Sequence, residues 1–233
     1  MFFLYDLEGV FSANVRENHR ISFIAKTGSW VLSIGAMGEF LGYVGTKQLI
    51  QMLVAVCFFH SSEFLLAIFI HGFHNVSVSS LLISKQYLIA MACALLEYVV
   101  ELILVPGLKE QWWISNIGLA MIVVGEIIRK CGILTARQAF THNIRVYHED
   151  QHELVSHGIY SVIRHPGYSG FFIWAMGTQI MLCNPICMVA YTVVTWNFFA
   201  KRIPYEEFFL REFFGHHYEE YAQRVCSGLP FIK

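Results

Sequence analysis

Long apolar runs separated by short polar punctuation set the character of this chain. Five stretches stand out, at residues 28–45, 49–70, 88–105, 113–128 and 171–200. About 20 consecutive apolar residues let a helix cross a bilayer. The second stretch, LIQMLVAVCFFHSSEFLLAIFI, meets that length, whereas the first and fourth are short or glycine-rich. The last, FFIWAMGTQIMLCNPICMVAYTVVTWNFFA, contains no Asp, Glu, Lys, Arg or His. Near its middle sits Asn184-Pro185. Proline removes a helix donor and disfavours helix just before it. The pattern therefore predicts a tight helical hairpin, 167–183 and 186–201, with arms of about 25 Å.

Composition supports a membrane protein. The 233 residues are 56% hydrophobic and 14% charged, with mean hydropathy +0.51; soluble domains carry about 25% charged residues. A net charge near −1 leaves no basic footprint for nucleic acid. The six cysteines lie mostly in apolar runs, none in C-x-x-C spacing, and read as small buried hydrophobes. The opening MFFLYDLEGVF lacks a basic region and small-residue cleavage site, and GLPFIK carries no lipidation signal.

Charge placement orients the spans. Arg129, Lys130, Arg137, Arg145 and Arg164 share one loop; Lys201, Arg202, Arg211, Arg224 and Lys233 share the tail. Basic loops favour the cytosol, and a two-span hairpin between them returns the chain to the same side. Four earlier spans put Arg16, Arg20 and Lys26 inside too. Outer loops are then expected around Thr46-Lys47-Gln48 and Pro106 to Gln111, with one lysine each. The expectation is an all-α, polytopic membrane bundle of about six spans with both termini cytosolic. Residues 1–128 form N-terminal transmembrane helices, and 129–233 a catalytic region. Its site is built from the 129–169 loop and the C-terminal helical tail.

Polar residues in this setting need a reason. Glu39, Glu63, Glu97, Glu101 and Glu126 fall inside predicted spans, where a carboxylate must face protein or water. Glu97 and Glu101 share a helix face and suit either a polar seam between helices or a transport relay. In HELVSHGIYSVIRHPGYSG, residues 152–170, glycines permit tight turns while Tyr160, Arg164, His165 and Tyr168 supply donors, a fixed charge and aromatic faces. That set suits a small ligand with an anionic group and a flat ring, or an interfacial loop anchored by Tyr and Arg. In KRIPYEEFFLREFFGHHYEEY, residues 201–221, Glu206 and Glu207 are expected to open a helix. One of these acids could instead accept bonds from ribose hydroxyls or an ammonium, and Arg202 could pair a carboxylate. His216-His217 with Glu219-Glu220 lacks further ligands for a metal and reads as a solvated helix face.

HELVSHGIYSVIRHPGYSG, GTQIMLCNPIC and RIPYEEFFLREFFGHHYEEYAQRVCSGLPFI together resemble the isoprenylcysteine carboxyl methyltransferase family, from about Phe58 to Lys233. FFHSSEF and GEIIRKCGILTARQAF extend the likeness. RHP-x-Y-x-G followed by a hairpin and Glu-Glu is shared more loosely with phospholipid methyltransferases.

The resemblance implies an endoplasmic reticulum enzyme with a cytosolic active site. It would transfer a methyl group from S-adenosylmethionine to the C-terminal carboxylate of a prenylated cysteine, as carried by CaaX proteins such as small GTPases. It places the cofactor on His152, Glu153, Leu154, Val155, Tyr160, His165, Pro166, Gly167, Tyr168 and Glu206, and the prenylcysteine on Arg202. Arg145 occupies a further cofactor position where relatives carry glutamine, and Arg137 stands where glycine is usual. The first helical hairpin of animal relatives is expected to be missing.

A site at the membrane face would receive a polar methyl donor from the cytosol and a prenyl chain from the bilayer. The acceptor carboxylate is already ionised at pH 7, so no general base is required. Three other readings stay open. They are a phospholipid N-methyltransferase, a sterol-type membrane reductase, and a transporter using Glu97 and Glu101.

Overall fold

The computed structural model describes Gly38 and residues 42–76, 78–148 and 153–232. Most of the predicted 28–45 span, with Glu39 and the basic residues Arg16, Arg20 and Lys26, lies outside the described residues, as does His152. The chain divides into two compact units after Thr46; the architecture below is that of the second.

The long helices are α1 (Gly42–His71), α2 (Lys85–Leu104), α4 (Trp112–Ala136), α5 (Pro166–Met181) and α6 (Pro185–Phe214); α3 (Pro106–Lys109) and α7 (His216–Arg224) are short. No strand forms among the described residues, only an isolated parallel bridge between Ile163 and Cys226. α1 and α2 are each long and apolar enough to cross a membrane. Their outer faces carry exposed Leu53, Phe58, Leu65, Phe69, Leu88, Leu96 and Ile103, which lipid rather than water suits.

Local signals set the helix starts. Ser84 caps α2 by accepting the Tyr87 N–H at 3.1 Å. Pro166 and Pro185 occupy the first positions of α5 and α6, where a missing N–H costs nothing. The hairpin turns at Leu182–Asn184, as the Asn-Pro signal predicts. Asn184 offers α6 no side-chain cap. Glu97 of α2 does so instead, accepting the N–H groups of Ile186 at 2.7 Å and Cys187 at 2.6 Å. This is the polar-seam arrangement. Glu97→Ala should cost about 2 kcal/mol of stability, because two helix-start donors lose a charged acceptor; thermal melting in detergent measures it.

Three expectations are corrected. α1 runs unbroken through Thr46-Lys47-Gln48, where an outer loop was predicted. The polar signal there has a tertiary explanation. Gln48 is buried, donates to the Lys109 carbonyl at 3.2 Å and accepts from the Tyr98 hydroxyl at 2.8 Å. Lys109, expected on an exposed loop, is fully buried. Its ammonium reaches Glu101 at 2.6 Å, the Leu182 and Cys183 carbonyls at 2.9 and 3.0 Å, and Asn184 Oδ1 at 2.9 Å. Four acceptors make an interior lysine tolerable, and they tie the hairpin turn to α2 and α3. Finally, Glu206 and Glu207 do not open a helix. α6 continues through Pro204 for 30 residues, so both acids lie well inside it.

α4 and α5 are joined by a seam of glycines. Gly118, Gly125 and Gly132 recur every seven residues on α4, facing Gly170 and Gly177 of α5. A Cβ on Gly118 would lie 2.1 Å from the Met181 nitrogen, and one on Gly125 2.6 Å from the Gly170 carbonyl oxygen. Such contact of backbone on backbone is the small-residue packing of membrane helices. Below it, Phe59, Trp174, Tyr98, Met181 and Leu182 form the main apolar core, and Phe172, Phe199, Ile203 and Leu229 a second.

Candidate active site

A cavity of about 400 Å³ lies among the 139–168 loop, the start of α5 and the far half of α6. Glu153, Leu154 and Val155 line it as extended chain, and Tyr160 follows from a short helical turn. His165, Pro166, Gly167 and Tyr168 enter from the start of α5, and Arg202 and Glu206 from one face of α6, four residues apart. One flank is apolar, with Leu82, Tyr87, Phe171, Phe198 and Phe199. Ten of the twelve residues singled out from the sequence thus meet around one space.

A relay of hydrogen bonds crosses it. Arg202 Nε donates to the Tyr168 hydroxyl at 2.9 Å, which donates to Glu206 Oε2 at 2.6 Å. Arg202 Nη2 donates to the His142 carbonyl at 2.6 Å. These acceptors engage two of the five guanidinium N–H groups, so donors remain to meet a carboxylate. Tyr168 is stacked between His165, with centroids 5.5 Å apart, and Phe199, at 4.8 Å. Burial, with Glu206 nearby, raises the Tyr160 phenol above its ordinary range, so it stays a neutral donor at pH 7. Burial also lowers His142 against the pull of Glu63, which keeps that ring neutral.

Beneath the relay lies a buried hub absent from the sequence reading. Glu207 is almost fully buried. Its Oε1 accepts from Arg164 Nε and Nη2 at 3.0 and 2.8 Å and from His165 Nε2 at 3.0 Å; its Oε2 accepts from Arg211 at 3.0 Å. Desolvation alone would raise this carboxyl. The hydrogen bonds and charges of His165 and Arg164 win and hold it at about 2. Because the carboxylate can only accept, Nε2 of His165 carries the proton. Nδ1 then faces Glu206 Oε2, 3.7 Å away. Arg164, read from sequence as a charge for a ligand or an interfacial anchor, is committed to the protein: it also donates to the Ala222 carbonyl at 2.9 Å and to that of Val225.

A second ionic group supports the floor. Arg129 forms a two-pronged pair with Glu63 at 2.8 and 2.7 Å, and its Nη1 donates to the Gly167 carbonyl at 2.8 Å. Lys130 reaches Glu63 at 2.5 Å. In sequence, Arg129 is only one of several basic loop residues and Glu63 only one of five membrane acids. Their pairing is 66 residues apart and has no local signal.

Arg145 is the one described candidate that the first cavity does not include. It lines an adjoining, more polar cavity of about 980 Å³ and donates to the Gln138 carbonyl at 3.2 Å. The two cavities share Glu153, Glu206, Thr141 and His142, so Arg145 is a neighbour of the group rather than part of its first wall. Arg137 has φ 47° and ψ −118°, a backbone region that favours glycine.

The model of the isoprenylcysteine carboxyl methyltransferase family matches residues 118–212. Protein-S-isoprenylcysteine O-methyltransferase B of Arabidopsis thaliana is 57% identical over 196 residues, which cover 84% of this chain and all of the relative. The chain belongs to the isoprenylcysteine carboxyl methyltransferase family. The Tribolium castaneum member is 42% identical over 219 residues, covering 88% of this chain and 78% of that one. A solved structure of the family, described as a eukaryotic intramembrane Ras methyltransferase, superposes with TM-score 0.78 at 39% identity, over 83% of this chain and 74% of that one. Family membership therefore rests on the helical architecture as well as on sequence, and the candidate residues from Glu153 to Glu206 fall within the stretch that the family model matches.

Proposed function

We propose that this chain methylates the C-terminal carboxylate of prenylated cysteine, with S-adenosylmethionine as donor, at the cytosolic face of the endoplasmic reticulum membrane. The observation that carries the reading is the relay Arg202–Tyr168–Glu206, set between a polar loop and an apolar flank. CaaX-processed proteins such as small GTPases are the acceptors this chemistry fits. A lipid amine would make no use of the arginine, and a transporter would leave the relay without a role.

The residues fit the donor. Its ammonium and ribose hydroxyls call for carboxylate and backbone acceptors, which Glu206 and the extended Glu153–Val155 segment supply. Its carboxylate calls for N–H donors, and its adenine for flat, apolar neighbours such as Tyr160 and Leu154. Bound there, S-adenosylmethionine supplies a methyl group on a positively charged sulfur. Arg202 holds the acceptor carboxylate and balances its charge as it leaves water. Tyr168 fixes the guanidinium at Nε, and the His142 carbonyl fixes it at Nη2. Phe171, Phe198 and Phe199 exclude water and receive the first isoprene units. The chain's contribution is alignment and desolvation rather than proton transfer.

The test is transfer of labelled methyl from S-adenosylmethionine to N-acetyl-S-farnesylcysteine by purified protein in lipid. Donor binding without transfer would turn the assignment to lipid amines, and a folded sample that binds no donor would end the methyltransferase reading. Glu206→Gln should weaken donor affinity about tenfold, the loss of one charge-assisted bond, with little change in the KM for prenylcysteine. Equilibrium titration with the donor measures this, and unchanged affinity would remove Glu206 from the donor site.

A further inference from the structure

The last residues of the chain cross back over the cofactor loop. Ile163 and Cys226 form a parallel bridge. The Arg164 N–H donates to the Cys226 carbonyl at 2.9 Å, and the His165 N–H donates to the Ser227 carbonyl at 3.1 Å. The segment is pinned beyond that point. Leu229 is buried with Phe172, Phe199 and Ile203, Trp196 Nε1 donates to the Pro230 carbonyl at 2.8 Å, and the Ser227 hydroxyl donates to the Ile232 carbonyl. Gly228 sits at the crossing with φ 96°, and a Cβ there would lie 2.2 Å from Ile163 Cγ2 and 2.4 Å from Ser169 Oγ.

From this we infer that residues 225–232 form a strap that positions His165, with Gly228 the residue that lets the strap seat. The inference rests on the proposed donor site but concerns a segment outside the cavity wall. The backbone at 163–165 makes no helix or sheet of its own. Its two consecutive N–H groups at Arg164 and His165 are satisfied by the strap, and that fixes where α5 begins. Since His165 stacks on Tyr168, a displaced strap alters the relay without removing any group from it. Gly228 is therefore a positioning residue, acting through Ile163 and His165.

The test uses the full chain carrying Gly228→Ala, alone and combined with Ile163→Ala, which removes the methyl that the new Cβ meets. S-adenosylhomocysteine affinity is measured by titration, and amide exchange is followed at Arg164 and His165. Expected are faster exchange at both amides, affinity down about tenfold, and partial recovery of both in the double variant, since the contact with Ser169 Oγ and the φ of 96° remain. Should Gly228→Ala fail to fold, Leu229→Ala loosens the same strap from its pinned end and should show the same pairing of effects. The inference is overturned if exchange at Arg164 and His165 is unaltered. It is also overturned if affinity is unmoved, or if it falls with no recovery at all in the double variant. Neither readout needs an acceptor, so failure of the prenylcysteine reading shows separately, as absent methyl transfer by the unsubstituted protein.

Discussion

Arg202→Ala is expected to lower methyl transfer by about 10²–10³-fold while the protein stays folded, the range seen when one preorganised charge-stabilising donor is removed. The side chain is half-buried and bonds only to the Tyr168 hydroxyl and the His142 carbonyl. Neither acceptor is stranded by its loss. His142 lines the cavity and Tyr168 keeps Glu206, so the fold loses little. The acceptor carboxylate loses its only cationic partner on α6 that reaches the cavity. Arg202→Lys should recover part of the rate, since it restores charge without the planar fork. Steady-state kinetics with N-acetyl-S-farnesylcysteine, alongside thermal melting, separates the two contributions. A folded Arg202→Ala with near-normal turnover would remove the arginine from the mechanism.

The second large effect is on stability. Glu207→Ala should cost about 3–5 kcal/mol, the usual penalty for stripping one partner from a buried ionic group, because Arg164, His165 and Arg211 all converge on that carboxylate. Activity would fall with it, since Arg164 and His165 lead from the loop into α5 at the cavity. The same carboxyl gives a pH signature. Its folded value, about 2, lies below the unfolded value near 4.5, so the unfolded chain binds the proton more readily. Its contribution is complete above about pH 4.5 and is lost as pH falls towards 2. Acid unfolding of the native protein should be steep in that window, and Glu207→Gln should flatten it. An unchanged acid profile in Glu207→Gln would mean that another group sets the transition.

Much of the site was legible because its signals are local. RHPGYSG marks a turn into a helix with proline first, and Asn184-Pro185 marks the hairpin corner; both appear where the sequence puts them. Arg202 and Glu206 are one helical turn apart whatever surrounds them. What stayed hidden depends on partners far along the chain. Gln48 and Lys109 look like loop residues until Tyr98, Glu101 and the hairpin turn enclose them. Glu207 is indistinguishable from Glu206 in sequence, yet one points at a cavity and the other at two arginines and a histidine. Pro204 suggests a helix boundary, but tertiary bonds on either side hold α6 continuous. The seven-residue spacing of Gly118, Gly125 and Gly132 carried no reading from sequence. Its meaning required the facing glycines of α5.

Those facing glycines also decide which parts of the enzyme can part to admit two reactants. Where backbone rests on backbone, as between Gly125 and Gly170, neither helix can slide without a clash, so α4 and α5 behave as one girder. Arg129 and Pro166, at the same end of that girder, keep a constant separation. The other walls of the cavity, residues 139–148 and 153–157 and the portion of α6 beyond Pro204, are not seated on that seam. The girder is the fixed reference for those walls, and a transferring methyl would be aligned against it.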